Sequence, residues 1–303
     1  MVVMPQEKYN DISGVFPPML TPFTESGEVD YDAFATNIYL WNNADLSGYL
    51  VLGSNSETAY LTEEEKLRLI VLTKEHTKKG RIIFAGTGLE STQDTVRFTN
   101  LAAEKGADAA LVLTPFYYSE LMNDAVLINH FTRIADNSEI PVLIYNVTKF
   151  THVNVSINAV RILSQHPNII GMKDSSGNIA QLEQFKSAAG KNYSVINGTA
   201  AVWYPALTLG IRAGILALAN CVPNECSMIR KYYSDGELEK SRALHERLLP
   251  LNKAITVQYG VPGLKYAATL LGYRGGFPRS PLLPLGETER KVIDSILLKA
   301  ALI

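Results

Sequence analysis

The sequence predicts a (β/α)8 TIM barrel followed by a helical C-terminal segment, on three observations. Eight short apolar, β-branched runs alternate with charged segments of helical period from one end to about residue 217. Parallel strands need long crossovers, and the intervals here have the length and period of helices. A chain of 303 residues also has room for one barrel of roughly 250 residues and an appendage.

Taken in order, the apolar run over 14–20 predicts the first strand, and the period of 31–41 the first helix. The second strand falls at 48–52 and its helix at 63–78. That helix starts on Thr62-Glu63-Glu64-Glu65, a capping box in which Thr62 and Glu65 satisfy each other's open backbone N–H groups. Strands over 81–85, 109–113, 142–145, 169–173, 194–196 and 213–216 follow. Several of them are followed by a small or polar residue, as the catalytic face of a barrel requires. Helices over 92–105, 123–135, 156–164, 179–188 and 202–208 fill the intervals. Beyond the eighth strand only helical period remains, over 226–233, 238–256, 264–270 and 287–299. Gly/Pro-rich turns around 260–263 and 272–284 divide this tail. The expected organisation is a catalytic barrel over 1–221 with a helical segment over 222–303 packed on it.

Bulk properties exclude several classes. A net charge of −2 and a pI near 6.2 leave no electrostatic footprint for nucleic acid or an anionic membrane. The only cysteines, Cys221 and Cys226, lack a second ligand pair for zinc and suit two buried thiols in a reducing cytosol. Met1 to Asn10 has neither an apolar core nor an Arg/Ser-rich pattern, so no leader is expected there. No apolar stretch approaches ~18 residues, so no membrane span is expected. His76, His130, His152, His166 and His245 have no metal-ligand spacing, and no metal is expected. These properties describe a cytoplasmic globular protein.

Lys173 closes the apolar run Ile169-Ile170-Gly171-Met172 and precedes the polar turn Asp174-Ser175-Ser176-Gly177. A lysine at a strand end ordinarily reaches solvent. Pointed into an apolar interior instead, it loses hydration, its pKa falls, and its neutral amine attacks carbonyls. Tyr145 closes the preceding strand, so neighbouring parallel strands would set a phenol beside that amine. Gly53-Ser54-Asn55-Ser56-Glu57, after the second strand, offers short polar side chains and N–H groups near a helix start, a seat for a carboxylate. Thr114-Pro115-Phe116-Tyr117-Tyr118 brings further phenols to the end of the fourth strand.

These segments, with Tyr145-Asn146-Val147, Gly171-Met172-Lys173-Asp174-Ser175 and Gly198, resemble the dihydrodipicolinate synthase / N-acetylneuraminate lyase family of class I aldolases. The likeness runs along nearly the whole chain. Within the family it looks closest to 4-hydroxy-2-oxoglutarate aldolase, on four signs. They are Ser54-Asn55, Ser164-Gln165-His166-Pro167-Asn168-Ile169, Ala217-Leu218-Ala219-Asn220 and Tyr259-Gly260-Val261-Pro262-Gly263-Leu264-Lys265. The resemblance implies that Lys173 forms a Schiff base with pyruvate or a 2-oxo acid and that Tyr145 shuttles the proton of the substrate hydroxyl. It implies a proton relay completed by Ser54 and by Tyr117 from a neighbouring subunit of a dimer or tetramer. Ser54 and Asn55, with Gly198 nearby, would bind the pyruvate carboxylate. The iminium itself is the electron sink, so no cofactor is implied.

Two departures from the family pattern stand out. Ser56 replaces a family glycine, which bears on the loop's backbone. Phe150 stands where synthases carry an arginine for the second substrate's carboxylate, and a phenyl ring makes no bidentate contact. Lys149 and Arg279 are the candidate replacement cations. The expected activity is reversible cleavage of a 4-hydroxy-2-oxo acid, of the 4-hydroxy-2-oxoglutarate or 2-keto-3-deoxy sugar acid type, to pyruvate and an aldehyde. The alternatives are a dihydrodipicolinate synthase condensing pyruvate with aspartate semialdehyde, and a catalytically silent barrel that binds 2-oxo acids.

Overall fold

The computed structural model describes residues 12–303, so the leader expectation for Met1–Asn10 lies outside the described residues. The eight strands are β1 (Gly14–Phe16), β2 (Gly48–Val51), β3 (Ile82–Gly86), β4 (Ala109–Leu113), β5 (Val142–Asn146), β6 (Ile169–Asp174), β7 (Ser194–Asn197) and β8 (Ala213–Ile215). They form one sheet in the order β1-β8-β7-β6-β5-β4-β3-β2. The ring closes where Met19 N–H donates to the Leu50 carbonyl at 2.9 Å and Leu50 N–H to Pro17 O at 3.0 Å. Closure removes the unpaired edges an open sheet would carry. This is the expected (β/α)8 barrel. Its first strand is shorter than the apolar run suggests, because Pro17 and Pro18 have no N–H to continue the ladder.

The helices are α1 (Tyr31–Trp41), α2 (Glu63–His76), α3 (Thr92–Glu104), α4 (Asp124–Asn137), α5 (Thr148–Thr151), α6 (Ile157–Leu163), α7 (Ile179–Ala188) and α8 (Trp203–Thr208). The C-terminal segment adds α9 (Pro223–Ser234), α10 (Leu238–Lys253), α11 (Gly260–Leu270) and α12 (Glu287–Lys299). The capping box forms as the sequence predicts: Glu65 N–H donates to Thr62 Oγ1 at 3.2 Å and Thr62 N–H to Glu65 Oε2 at 2.8 Å. The Gly260–Gly263 segment is helical, where a dividing turn was expected. A π-helical turn over Ala254–Gln258 carries α10 into α11, and Pro262 sits in the first turn, where its missing N–H breaks no helical bond. Among the described residues, no helix is long and apolar enough to cross a membrane.

By density of contacts the chain has two compact units. The first is built on Gly86–Gly214, with Val112, Ile144, Met172, Phe131 and Phe185 fully buried. The second joins Gly14–Ala85 to Ile215–Ile303, with Trp41, Leu251 and Leu264 in its interior and the Phe16 and Phe84 rings 5.0 Å apart.

One core residue of the first unit makes the fold sensitive to acid. His130 on α4 is buried; its Nδ1 meets Thr92 Oγ1 at 2.8 Å, while Nε2 has no hydrogen-bond partner. Burial pushes its pKa down from 6.5 to about 4. A basic group held below its unfolded pKa favours folding only while neutral, so its contribution is intact above pH 6.5 and lost as pH falls to about 4. The fold should lose on the order of 3 kcal/mol over that window, at about 1.4 kcal/mol per unit. Thermal unfolding followed from pH 7 to 4 should show a shallower decline for His130→Gln than for the native chain.

Candidate active site

In the first unit, β5 and β6 run parallel, with Tyr145 and Lys173 as register partners near their C-terminal ends. The fourth strand pairs alongside, Leu113 against Tyr145. Lys173 is 3 % exposed, and its Nζ lies 4.1 Å from the centroid of the Tyr145 ring. The sequence expects an amine beside a phenol at these strand ends, and the ammonium stands over the face of the ring. Gly171 permits the approach of β7: a Cβ there would stand 2.3 Å from the Ser194 carbonyl oxygen. A bulge between Ile169 and Gly171 interrupts the strict alternation ahead of Lys173.

Behind the lysine lies a polar network that the sequence does not announce. Asp174 is fully buried; its Oδ1 accepts from Asn146 Nδ2 at 2.7 Å and Gln181 Nε2 at 3.2 Å, its Oδ2 from Ser176 Oγ at 2.5 Å. Asn146 Nδ2 also donates to Asn154 Oδ1 at 2.8 Å, and Val155 N–H donates to Asn146 Oδ1 at 3.0 Å. These bonds tie the residues that follow Tyr145 and Lys173 to one another. The only sequence signal was an acid directly after Lys173, which reads equally as turn chemistry. Gly198 joins the same group, donating its N–H to the Asp174 carbonyl at 2.7 Å. A Cβ on Gly198 would fall 2.1 Å from Ser175 Oγ, so a larger residue would displace this turn.

Tyr117 and Phe150 stand out from the single chain, 75 % and 54 % exposed. Tyr117 packs edge-on against Tyr118, ring centroids 5.0 Å apart. Its loop is held by Glu90, whose Oε2 accepts from the N–H groups of Phe116 at 3.1 Å and Tyr117 at 3.0 Å. Phe150 lies on α5, with Lys149 Nζ 5.5 Å from its ring centroid.

In the second unit, Ser54-Asn55-Ser56 forms one 3-10 turn after β2. Ser56 keeps ordinary right-handed geometry and donates its hydroxyl to the Met19 carbonyl at 2.5 Å. The left-handed residue is its neighbour Glu57, at φ 54°, so a serine replaces the family glycine without strain. Glu57 is itself clamped: its Oε1 lies 2.5 Å from Lys265 Nζ, and its Oε2 accepts from Arg279 N–H at 2.9 Å. Arg279 spends its guanidinium on Glu65, at 2.8 and 2.6 Å, and on the carbonyls of Gly27 and Tyr60. It is therefore fully engaged as a structural cation.

The family model of the dihydrodipicolinate synthetase family matches residues 11–300. A 4-hydroxy-tetrahydrodipicolinate synthase of Methanothrix thermoacetophila is 32% identical over 287 residues, 94% of this chain and 96% of its own length. The enzyme of that name from Bartonella quintana is 31% identical over 296 residues, 96% of this chain and 99% of its own. Among solved structures, the chloride-inhibited dihydrodipicolinate synthase of Acinetobacter baumannii complexed with pyruvate superimposes with a TM-score of 0.90 at 26% identity, covering 97% of this chain and 100% of that one.

These relatives overturn the expected principal activity, cleavage of a 4-hydroxy-2-oxo acid, and the closest likeness to 4-hydroxy-2-oxoglutarate aldolase. The structure supplies the physical reason, since three of the four segments behind that likeness do structural work. Asn168 Nδ2 donates to the Ala135 carbonyl at 2.9 Å, and His166 pairs with Asp136 at 3.0 Å. Asn220 braces the first strand's exit through Leu20 N–H and Pro18 O, each at 3.0 Å. Lys265 serves Glu57. None of these residues reports on a substrate. Phe150, the departure from the synthase pattern, has its ring more than half exposed.

Proposed function

The chain belongs to the dihydrodipicolinate synthetase family, and from that premise we propose that it is a 4-hydroxy-tetrahydrodipicolinate synthase, condensing pyruvate with aspartate semialdehyde. One observation supports the chemistry most: the buried amine of Lys173 against the Tyr145 ring, register partners on adjacent strands. Lys173 Nζ adds to the keto carbon of pyruvate, water leaves, and an iminium forms. Loss of a methyl proton gives an enamine, whose carbon attacks the aldehyde of the second substrate. The semialdehyde's own amine then displaces Nζ, closing the ring and freeing the lysine. The iminium is the electron sink throughout, so the mechanism uses no cofactor or metal.

Tyr145 carries protons between substrate and solvent, with Ser54 and Tyr117 as its relay, and Ser54, Asn55 and Gly198 serve the pyruvate carboxylate. The exposure of Tyr117 supports its use by a second copy of the chain in a homo-oligomer, a dimer or tetramer. Phe150 lines the aldehyde's path. Lys149, on the same short helix, is the cation for the distal carboxylate, since Arg279 is committed to Glu65. Two buried free thiols agree with a reducing, cytoplasmic setting.

The test is a two-substrate assay. Purified protein given pyruvate and aspartate semialdehyde should consume both in a one-to-one ratio. Its kcat/KM should exceed that for pyruvate release from 4-hydroxy-2-oxoglutarate by about 10²-fold, two ion-pair-scale contacts' worth. Faster release from the 4-hydroxy-2-oxo acid would overturn the assignment.

A further inference from the structure

Glu57 and Lys265 form an ion pair whose two side chains are each 1 % exposed, against 15 and 16 % for the Arg279–Glu65 pair. Both lie in the second unit. Glu57 ends the turn Ser54-Asn55-Ser56, and Lys265 comes from α11 of the C-terminal segment. Lys265 Nζ also donates to the Phe277 carbonyl at 2.6 Å and lies 4.4 Å from the Phe23 ring centroid. From the other side Arg279 N–H donates to Glu57, and the Arg279 guanidinium stacks 4.3 Å from the same ring. Glu57 is thus held at both carboxylate oxygens while its backbone keeps a left-handed conformation, which non-glycine residues adopt only when their surroundings fix them.

A buried pair adds little net stability over an apolar one of the same shape, because desolvation offsets the attraction. What such a pair supplies is a fixed geometry. Here the fixed element is the residue that sets the direction of the Ser54-Asn55 turn, and Ser56 pins the other side to Met19. We infer that Glu57 and Lys265 are positioning residues that hold Ser54 and Asn55 in place for the substrate carboxylate. The inference rests on the proposed carboxylate-binding role of those two residues. The C-terminal segment thereby acts on pyruvate affinity without touching pyruvate.

Glu57→Gln is the informative variant. It keeps the side chain's shape and the acceptor for Arg279 N–H while removing the charge. Burial already pushes the Lys265 ammonium down to about 8, so it can shed its proton when its partner is neutral, and the fold should survive. The double variant Glu57→Gln/Lys265→Met removes both charges and leaves neither partner buried alone. The readout is the pyruvate concentration that gives half-maximal borohydride trapping on Lys173, together with Tm and the KM and kcat for pyruvate. Both variants should need about ten-fold more pyruvate, with kcat within about three-fold of the native value and maximal trapping unchanged. Half-maximal concentrations within two-fold of native in either folded variant would overturn the positioning role, even if Tm fell. Absence of trapping in the native chain would instead overturn the proposed function, so the two failures are distinct.

Discussion

Replacing Lys173 by alanine should lower turnover of pyruvate and aspartate semialdehyde on the order of 10⁴-fold or more, leaving the fold intact. In the proposed mechanism the iminium forms on Lys173. Without it, the methyl carbon of pyruvate has no electron sink, and residual binding by the carboxylate loop does not lower the barrier to carbon–carbon bond formation. Lys173 is buried against the Tyr145 ring, so the truncation leaves a cavity and costs some stability. Circular dichroism and Tm should show a folded protein. Steady-state assay at saturating substrates checks the rate, and activity within ten-fold of native would remove Lys173 from the mechanism.

Tyr145→Phe should reduce kcat by roughly 10²–10⁴-fold, the range for loss of a positioned proton carrier. The ring remains, so the packing against Lys173 Nζ at 4.1 Å should be preserved. Binding of pyruvate should be nearly unchanged, which separates a proton-transfer defect from a misplaced site. If Tyr117 serves a second copy of the chain, Tyr117→Phe should be impaired as well. Mixing Tyr117→Phe with Lys173→Ala chains should then restore part of the activity, because some sites regain a full set. Native turnover in Tyr145→Phe would mean that another group moves the proton.

The barrel and its chemistry were legible to different depths, for physical reasons. Strand alternation and the need for crossovers are local rules, so every strand was found within a few residues, and prolines account for the shortened first one. Lys173 and Tyr145 could be paired from sequence because neighbouring parallel strands bring equivalent ends together. Glu57 and Lys265 could not, since nothing local links a loop near the start of the chain to a helix near its end. Asp174 was hidden by adjacency: beside Lys173 it looks like turn chemistry, and only the folded network with Asn146 and Gln181 gives it a role. The choice of substrate went wrong where sequence signs were structural. Asn168, Asn220 and Lys265 brace the framework, and residues that brace a framework do not distinguish one aldehyde from another.

The proposed activity depends on a covalent pyruvate adduct on one buried lysine, which reductive trapping detects. Native protein incubated with pyruvate and borohydride, then digested and mapped by mass spectrometry, should carry one reduced pyruvate per chain, on the peptide containing Lys173. An adduct on a different lysine, or none from a preparation that turns over pyruvate and aspartate semialdehyde, would contradict it.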